Sequence, residues 1–111
     1  METGAYSPLS RPYALSPAAE AIRQLDAHLF ATHGVTGSII VGTEMAILRL
    51  NGLTVWFAEG EFRWTNGLRD ADGLPDMDSE SATRPATTAD RVFERYQQVR
   101  HEAGYFAVRI D

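Results

Sequence analysis

The dipeptide Asn51-Gly52 restricts the fold of this chain more than any other feature of its sequence. Both residue types tolerate positive φ, and Asn-Gly is therefore strongly favoured in the two-residue loops of β-hairpins. β-Branched and aromatic residues are frequent on both sides of it, within residues 36–65, as is typical of strands. The dipeptide thus predicts an antiparallel hairpin in which Ile47 lies opposite Trp56.

A second turn, at Glu59-Gly60, extends this hairpin by another strand and places Arg63 opposite Trp56. An earlier strand, at about 37–41, precedes the hairpin and is separated from it by another turn. The segment therefore predicts a four-stranded antiparallel meander.

Side chains alternate across a sheet, so this register divides the meander into an apolar face and a mixed face. The apolar face, which has to be covered, collects Ala46, Leu48, Leu50, Leu53, Val55, Phe57, Phe62 and Trp64. The mixed face collects Met45, Ile47, Arg49, Thr54, Trp56, Ala58, Glu61, Arg63 and Thr65.

A helix at about 17–33 is one available cover for the apolar face. Ser16 is a good N-cap residue, and Pro17 occupies the favoured first helical position. Gly34 is the residue type that commonly follows a helix end. The apolar stripe of this helix consists of Ala18, Ala21, Ile22, Leu25, Leu29 and Phe30.

A second helix is predicted near the C-terminus, where Thr87 and Asp90 have the spacing of a capping box. We expect this helix to end at Gly104 and residues 105–110, which alternate in polarity, to form a short final strand. The apolar stripe of the second helix consists of Ala89, Val92, Phe93, Tyr96, Val99 and Ala103.

The acid excess of the chain is local. Residues 70–80 contain five acidic side chains and no arginine, and this accounts for the formal charge of -5. Together with two prolines, this composition predicts a mobile acidic loop over 67–86. Residues 1–15, which contain Pro8 and Pro12, are expected to form an extended arm that precedes a single domain over 16–111.

The expected fold is therefore α+β. Its order is helix, four-stranded meander, acidic loop, helix and short C-terminal strand, with both helices packed on one face of the sheet.

Trp56 stands in the middle of the mixed face, and Ile47, Arg49, Thr54 and Arg63 complete the candidate binding site. An aromatic anchor with an arginine rim is typical of protein contact hot spots. Alternatively, a guanidinium group stacks on the indole, or the arm or the final strand packs over it, and its role is structural. Base stacking on single-stranded nucleic acid uses the same residue types, but no basic stripe supports it.

The sequence offers little catalytic chemistry. The chain has no cysteine, which excludes disulfides, thiolate metal sites and thiol nucleophiles. His28 and His33 are five residues apart and so lack the spacing of a helical metal pair, and His33 and His101 are expected to interact with helix-terminal carbonyl groups. The acidic segment lacks the calcium-loop pattern. We therefore expect no catalytic residue, no metal site and no cofactor.

These observations favour a small non-catalytic protein-interaction module, such as an adaptor, a regulator or an immunity-type inhibitor. It would bind through the sheet face around Trp56, an open sheet edge, or both, and an open edge also favours a homodimer. The first alternative is a small-molecule binder or enzyme with a pocket between helices and sheet, lined by Tyr96, His101 or Tyr105. The second is a single-stranded nucleic-acid binder, which the acidic charge disfavours.

No apolar run approaches the roughly 20 residues that cross a bilayer, and the first residues lack the apolar core of a secretory signal. We therefore expect a cytoplasmic protein without a membrane partner.

Overall fold

The computed structural model describes the backbone of residues 16–110 and the side chains of residues 16–102. The fold is α+β, with two helices and one five-stranded antiparallel sheet. The predicted arm, residues 1–15, lies outside the described residues. The elements are α1 (Pro17–His33), β1 (Ser38–Val41), β2 (Met45–Leu50), β3 (Leu53–Ala58), β4 (Glu61–Arg69), β5 (Pro75–Ser81) and α2 (Pro85–Ile110). The strands lie side by side in chain order, so β1 and β5 are the two edges of a continuous meander.

Helix α1 has the predicted bounds and caps. The Ser16 side chain accepts a hydrogen bond from the Ala19 N–H at 3.4 Å, and Gly34 ends the helix with a φ of 71°. The Gly34 N–H donates to the Phe30 carbonyl, so an otherwise unpaired carbonyl is satisfied. Phe30 itself departs from the predicted stripe: its side chain is 63% exposed, because it lies beside the stripe rather than in it.

The predicted hairpin register is confirmed, since Ile47 pairs with Trp56 and Trp56 pairs with Arg63. The two turns differ in backbone conformation. At Asn51-Gly52 only the glycine has a positive φ, of 92°, whereas Glu59 and Gly60 have φ values of 55° and 81°. The turn with positive φ at both central residues, which favours Asn-Gly, therefore occurs at Glu59-Gly60 and not at Asn51-Gly52.

One hydrophobic core joins both helices to the predicted apolar face of the sheet. Helix α2 contributes Ala89 and Val92, and Phe93 packs against the core at its boundary. The remaining core residues are Ala18, Ile22, Leu25, Leu29, Ala46, Leu48, Leu50, Leu53, Val55, Phe57, Phe62 and Trp64.

The segment 67–86 is not the open loop that its composition predicts. Strand β4 continues to Arg69, a short turn follows, and residues 75–81 form β5. In β5, Asp76, Asp78 and Glu80 are partly buried while the residues between them are exposed, which is the period-two pattern of a strand. The acidic side chains therefore lie on the same face as Phe62 and Trp64, their neighbours on β4.

The ends of α2 also correct the sequence prediction. The helix begins at Pro85, the residue type favoured at a first helical position, and the Thr88 N–H bonds to the Arg84 carbonyl at 2.9 Å. Thr87 and Asp90 therefore lie inside the helix and form no capping box. At the other end the helix runs through Gly104 to Ile110, so residues 105–110 are helical and the fifth strand is β5 instead.

Glu59 provides a test of the turn geometry. Left-handed backbone costs a non-glycine residue roughly 1–2 kcal/mol, and asparagine tolerates it better than glutamate. We expect Glu59→Asn to stabilise the domain by about 1 kcal/mol and raise its Tm by about 4 °C. Glu44→Asn, at another exposed turn position without a positive φ, is the matched control. Equal Tm values for the two variants in thermal unfolding would contradict the assignment.

Candidate functional site

The five predicted site residues lie together on one face of the sheet, here called the outer face. Ile47, Trp56 and Arg63 form a row across β2, β3 and β4. Arg49 and Thr54 pair with each other in the next row. Both arginines are exposed, and the other three residues are partly buried. The outer face is therefore accessible at its centre among the described residues.

Two residues that the sequence analysis did not assign extend this surface. Ile40 pairs with Ile47 and continues the central row onto β1, where it is 46% exposed. Met77 pairs with Thr65 and is 39% exposed. Ile40 was missed because no turn signal fixes the register of the first strand, and Met77 because the acidic composition of β5 hid its alternation.

The structure provides no cation–π contact for Trp56 among the described side chains. The Arg63 guanidinium instead donates two hydrogen bonds to one carboxylate oxygen of Glu61, at 3.1 and 3.3 Å. The only arginine over a tryptophan ring in this part of the chain is Arg91, whose guanidinium carbon lies 5.2 Å from the Trp64 ring centroid. Among the described side chains, arginine stacking therefore does not position the Trp56 indole.

The two edges of the sheet differ in charge. Edge strand β1 has the sequence Ser-Ile-Ile-Val, without a charged residue or proline, and Val41 is 44% exposed. Edge strand β5 begins with Pro75 and carries three acidic residues. Charges and prolines hinder the addition of another strand, so within the part of the chain that the structure describes, β1 is the edge that is open to strand pairing.

Two acidic residues of β5, Asp78 and Glu80, bind α2. Arg91 donates to the Glu80 carboxylate and to the Ser79 carbonyl, both at 3.2 Å, and its guanidinium lies 3.6 Å from the Asp78 carboxylate. Asn66 donates to Asp78 at 3.2 Å. These contacts border a cleft of about 210 Å³ between β4, β5 and α2. The cleft is lined by Trp64, Asn66, Asp78, Arg91, Glu94, Arg95 and Gln98.

The environment of His33 differs from the prediction that it interacts with helix-terminal carbonyl groups. Its Nε2 lies 2.9 Å from a carboxylate oxygen of Asp90, and its ring stacks on Phe93 with centroids 4.0 Å apart. The residue therefore links α1 to α2. Within residues 16–102, no group of three or more histidine, aspartate and glutamate side chains is placed to hold a metal ion.

No protein-family model, no curated protein and no solved structure matches this chain. Neither helix in the described part of the chain combines the length and the apolar character that crossing a bilayer requires.

The contacts of Arg91 predict how β5 is held in place. Arg91→Met keeps an apolar stem over Trp64 but leaves Glu80, whose side chain is only 16% exposed, without its cation. We expect a loss of about 1–2 kcal/mol in the free energy of unfolding and faster hydrogen exchange of the backbone amides of β5. Arg100→Met, an exposed arginine of the same helix, is the control. Unchanged exchange in β5 would contradict the assignment.

Proposed function

We propose that this protein is a non-catalytic protein-interaction module that binds a partner protein through the outer face around Trp56. The observation that carries the proposal is the continuous row of Ile40, Ile47, Trp56 and Arg63, which lies on the face opposite the one that packs against the described parts of both helices. Partly accessible aliphatic and aromatic side chains with an arginine at the rim match the composition of protein contact hot spots.

The partner surface that fits this face has an apolar centre and carboxylates at its margin. Arg49 is exposed and lies in the row next to Trp56, and it forms no ion pair with the described residues. Arg63 is already bound to Glu61, so Arg49 is the more available cation. A carboxylate of the partner would complete the pairing of this guanidinium.

The main alternative, a small-molecule site between the helices and the sheet, has weaker support. Ligand pockets typically enclose about 300–1,000 Å³, and the cleft next to Trp64 encloses about 210 Å³. Its Arg91 is already bound to Asp78 and Glu80. Tyr96, one of the expected lining residues, packs against the hydrophobic core instead.

Replacement of Trp56 tests the proposal. With the protein immobilised as bait in native lysate, we expect Trp56→Ala to reduce retention of the partner at least tenfold, in line with the loss of a hot-spot residue. Phe30→Ala, which also removes an exposed aromatic ring but on α1, is the matched control and is expected to retain the partner. Thermal unfolding of both variants establishes that they are folded.

Arg49→Glu gives a second measurement that does not depend on the packing of the indole. Because Arg49 is exposed, its replacement is expected to leave the Tm within about 2 °C of the wild-type value while weakening partner retention, most strongly at low salt. If Trp56→Ala and Arg49→Glu both retain the same proteins as Phe30→Ala, the outer face is not the binding surface.

A further inference from the structure

The open edge of the sheet offers a defined set of backbone groups. The Gly42 N–H donates to the Met45 carbonyl at 2.8 Å, and this closes the turn between β1 and β2. In an antiparallel ladder, alternate residues direct both their N–H and C=O towards the same neighbouring strand. Ile40 therefore bonds towards β2, and the backbone N–H and C=O groups of Ile39 and Val41 are directed towards the open side of the sheet.

Among the described residues, the core is also incompletely covered next to β1. Val41 pairs with Ala46, a fully buried residue of the apolar face, and so points towards the same side of the sheet. Its side chain is nevertheless 44% exposed. Val41 therefore points towards the core but has no neighbour, among the described residues, on the side that faces away from β2.

Charge and symmetry favour one of the two possible pairings between copies of this chain at this edge. Each copy of this chain carries a net charge of -5, and its β5 edge is acidic. Pairing of β1 with β5 of another copy would place an uncharged strand against a charged edge. It would also leave one β1 edge and one β5 edge unpaired, so the assembly would not close into a symmetric dimer. Pairing of β1 with β1 closes about a twofold axis. It also separates the two β5 strands by nine strand spacings, about 40 Å, well beyond the Debye length of about 8 Å.

We propose that β1 pairs with β1 of a second copy of this chain and forms a homodimer with a continuous ten-stranded antiparallel sheet. This inference rests on the proposed function as an interaction module and specifies one of its partners. A twofold axis perpendicular to the sheet keeps the two outer faces on one side, so a residue can only pair with one that points to the same side.

The register that best matches apolar side chains places Ile40 opposite Ile40 of the second copy. Ile39 then lies opposite Val41 of the second copy on the inner face, and the reverse pair is equivalent. The free backbone groups of Ile39 and Val41 make four hydrogen bonds across the axis in this register. The exposed part of the Val41 side chain gains an aliphatic neighbour, which the described residues of one chain do not provide.

Proline at position 41 tests this pairing directly. Val41→Pro removes an N–H that is directed away from β2, so it leaves the ladder between β1 and β2 intact and blocks only the new one. Val41→Thr retains the N–H and the branched shape and is the matched control. Ile40→Lys is a second disrupting variant, because it places two like charges next to each other at the twofold axis.

Sedimentation equilibrium over a hundredfold concentration range gives the mass of each variant. We expect the wild type, Val41→Thr and Trp56→Ala to sediment with twice the 12.3 kDa of one chain, and Val41→Pro and Ile40→Lys to dissociate at least tenfold more readily. Thermal unfolding at low concentration establishes that the disrupted variants are folded.

A wild-type protein of 12.3 kDa throughout the range would overturn the dimer. So would an unchanged dissociation constant for both Val41→Pro and Ile40→Lys. Dissociation by Trp56→Ala but not by Val41→Pro would assign the contact between copies to the outer face, which overturns strand pairing and supports the proposed function. If the protein is a monomer and its retention of a partner protein still depends on Trp56, the dimer is rejected and the proposed function is supported.

Discussion

The even length of the two hairpin loops determines the arrangement of the whole molecule. Because each loop contains two residues, Val55, Phe57, Phe62 and Trp64 all point to one side of the sheet. A shift of one residue in the Glu59-Gly60 loop would reverse the side chains of β4 and turn Arg63 towards the core in place of an aromatic ring. Because both loops have an even number of residues, the apolar side chains collect on the face that packs against the helices, and the opposite face stays accessible among the described residues.

The inner face changes from apolar to charged where β4 meets β5. Phe62 and Trp64 pair with Glu80 and Asp78, so carboxylates occupy positions that carry aliphatic residues elsewhere in the sheet. Partial burial of a carboxylate is unfavourable unless cations and hydrogen-bond donors accompany it. Arg91 provides both and also covers the Trp64 ring. No buried side-chain nitrogen or oxygen among the described residues lacks a hydrogen-bond partner.

Local signals were sufficient to predict α1, the hairpin register and the grouping of the five site residues, because each depends on a cap or a turn a few residues long. They were insufficient for β5, whose acidic residues alternate with a proline, a methionine and two serines and are accommodated through contacts with Arg91 and Asn66. The sequence also did not predict that α2 continues beyond Gly104. Glycine inside a helix costs about 1 kcal/mol, which favours an end there but does not impose one.

Core packing does not explain why a tryptophan occupies the centre of the outer face. Its intrinsic preference for strands spans at most about 1 kcal/mol, and a cross-strand pair with Ile47 contributes roughly 0.2–1 kcal/mol. Threonine, the residue already present at neighbouring positions 54 and 65, would satisfy most of that preference without a partly accessible indole on this face. The aliphatic residues of the same row, Ile40 and Ile47, raise the same question. Three large apolar side chains in adjacent strands on the side opposite the core form a surface that stability alone does not require, and this is the physical reason for proposing contact with another protein.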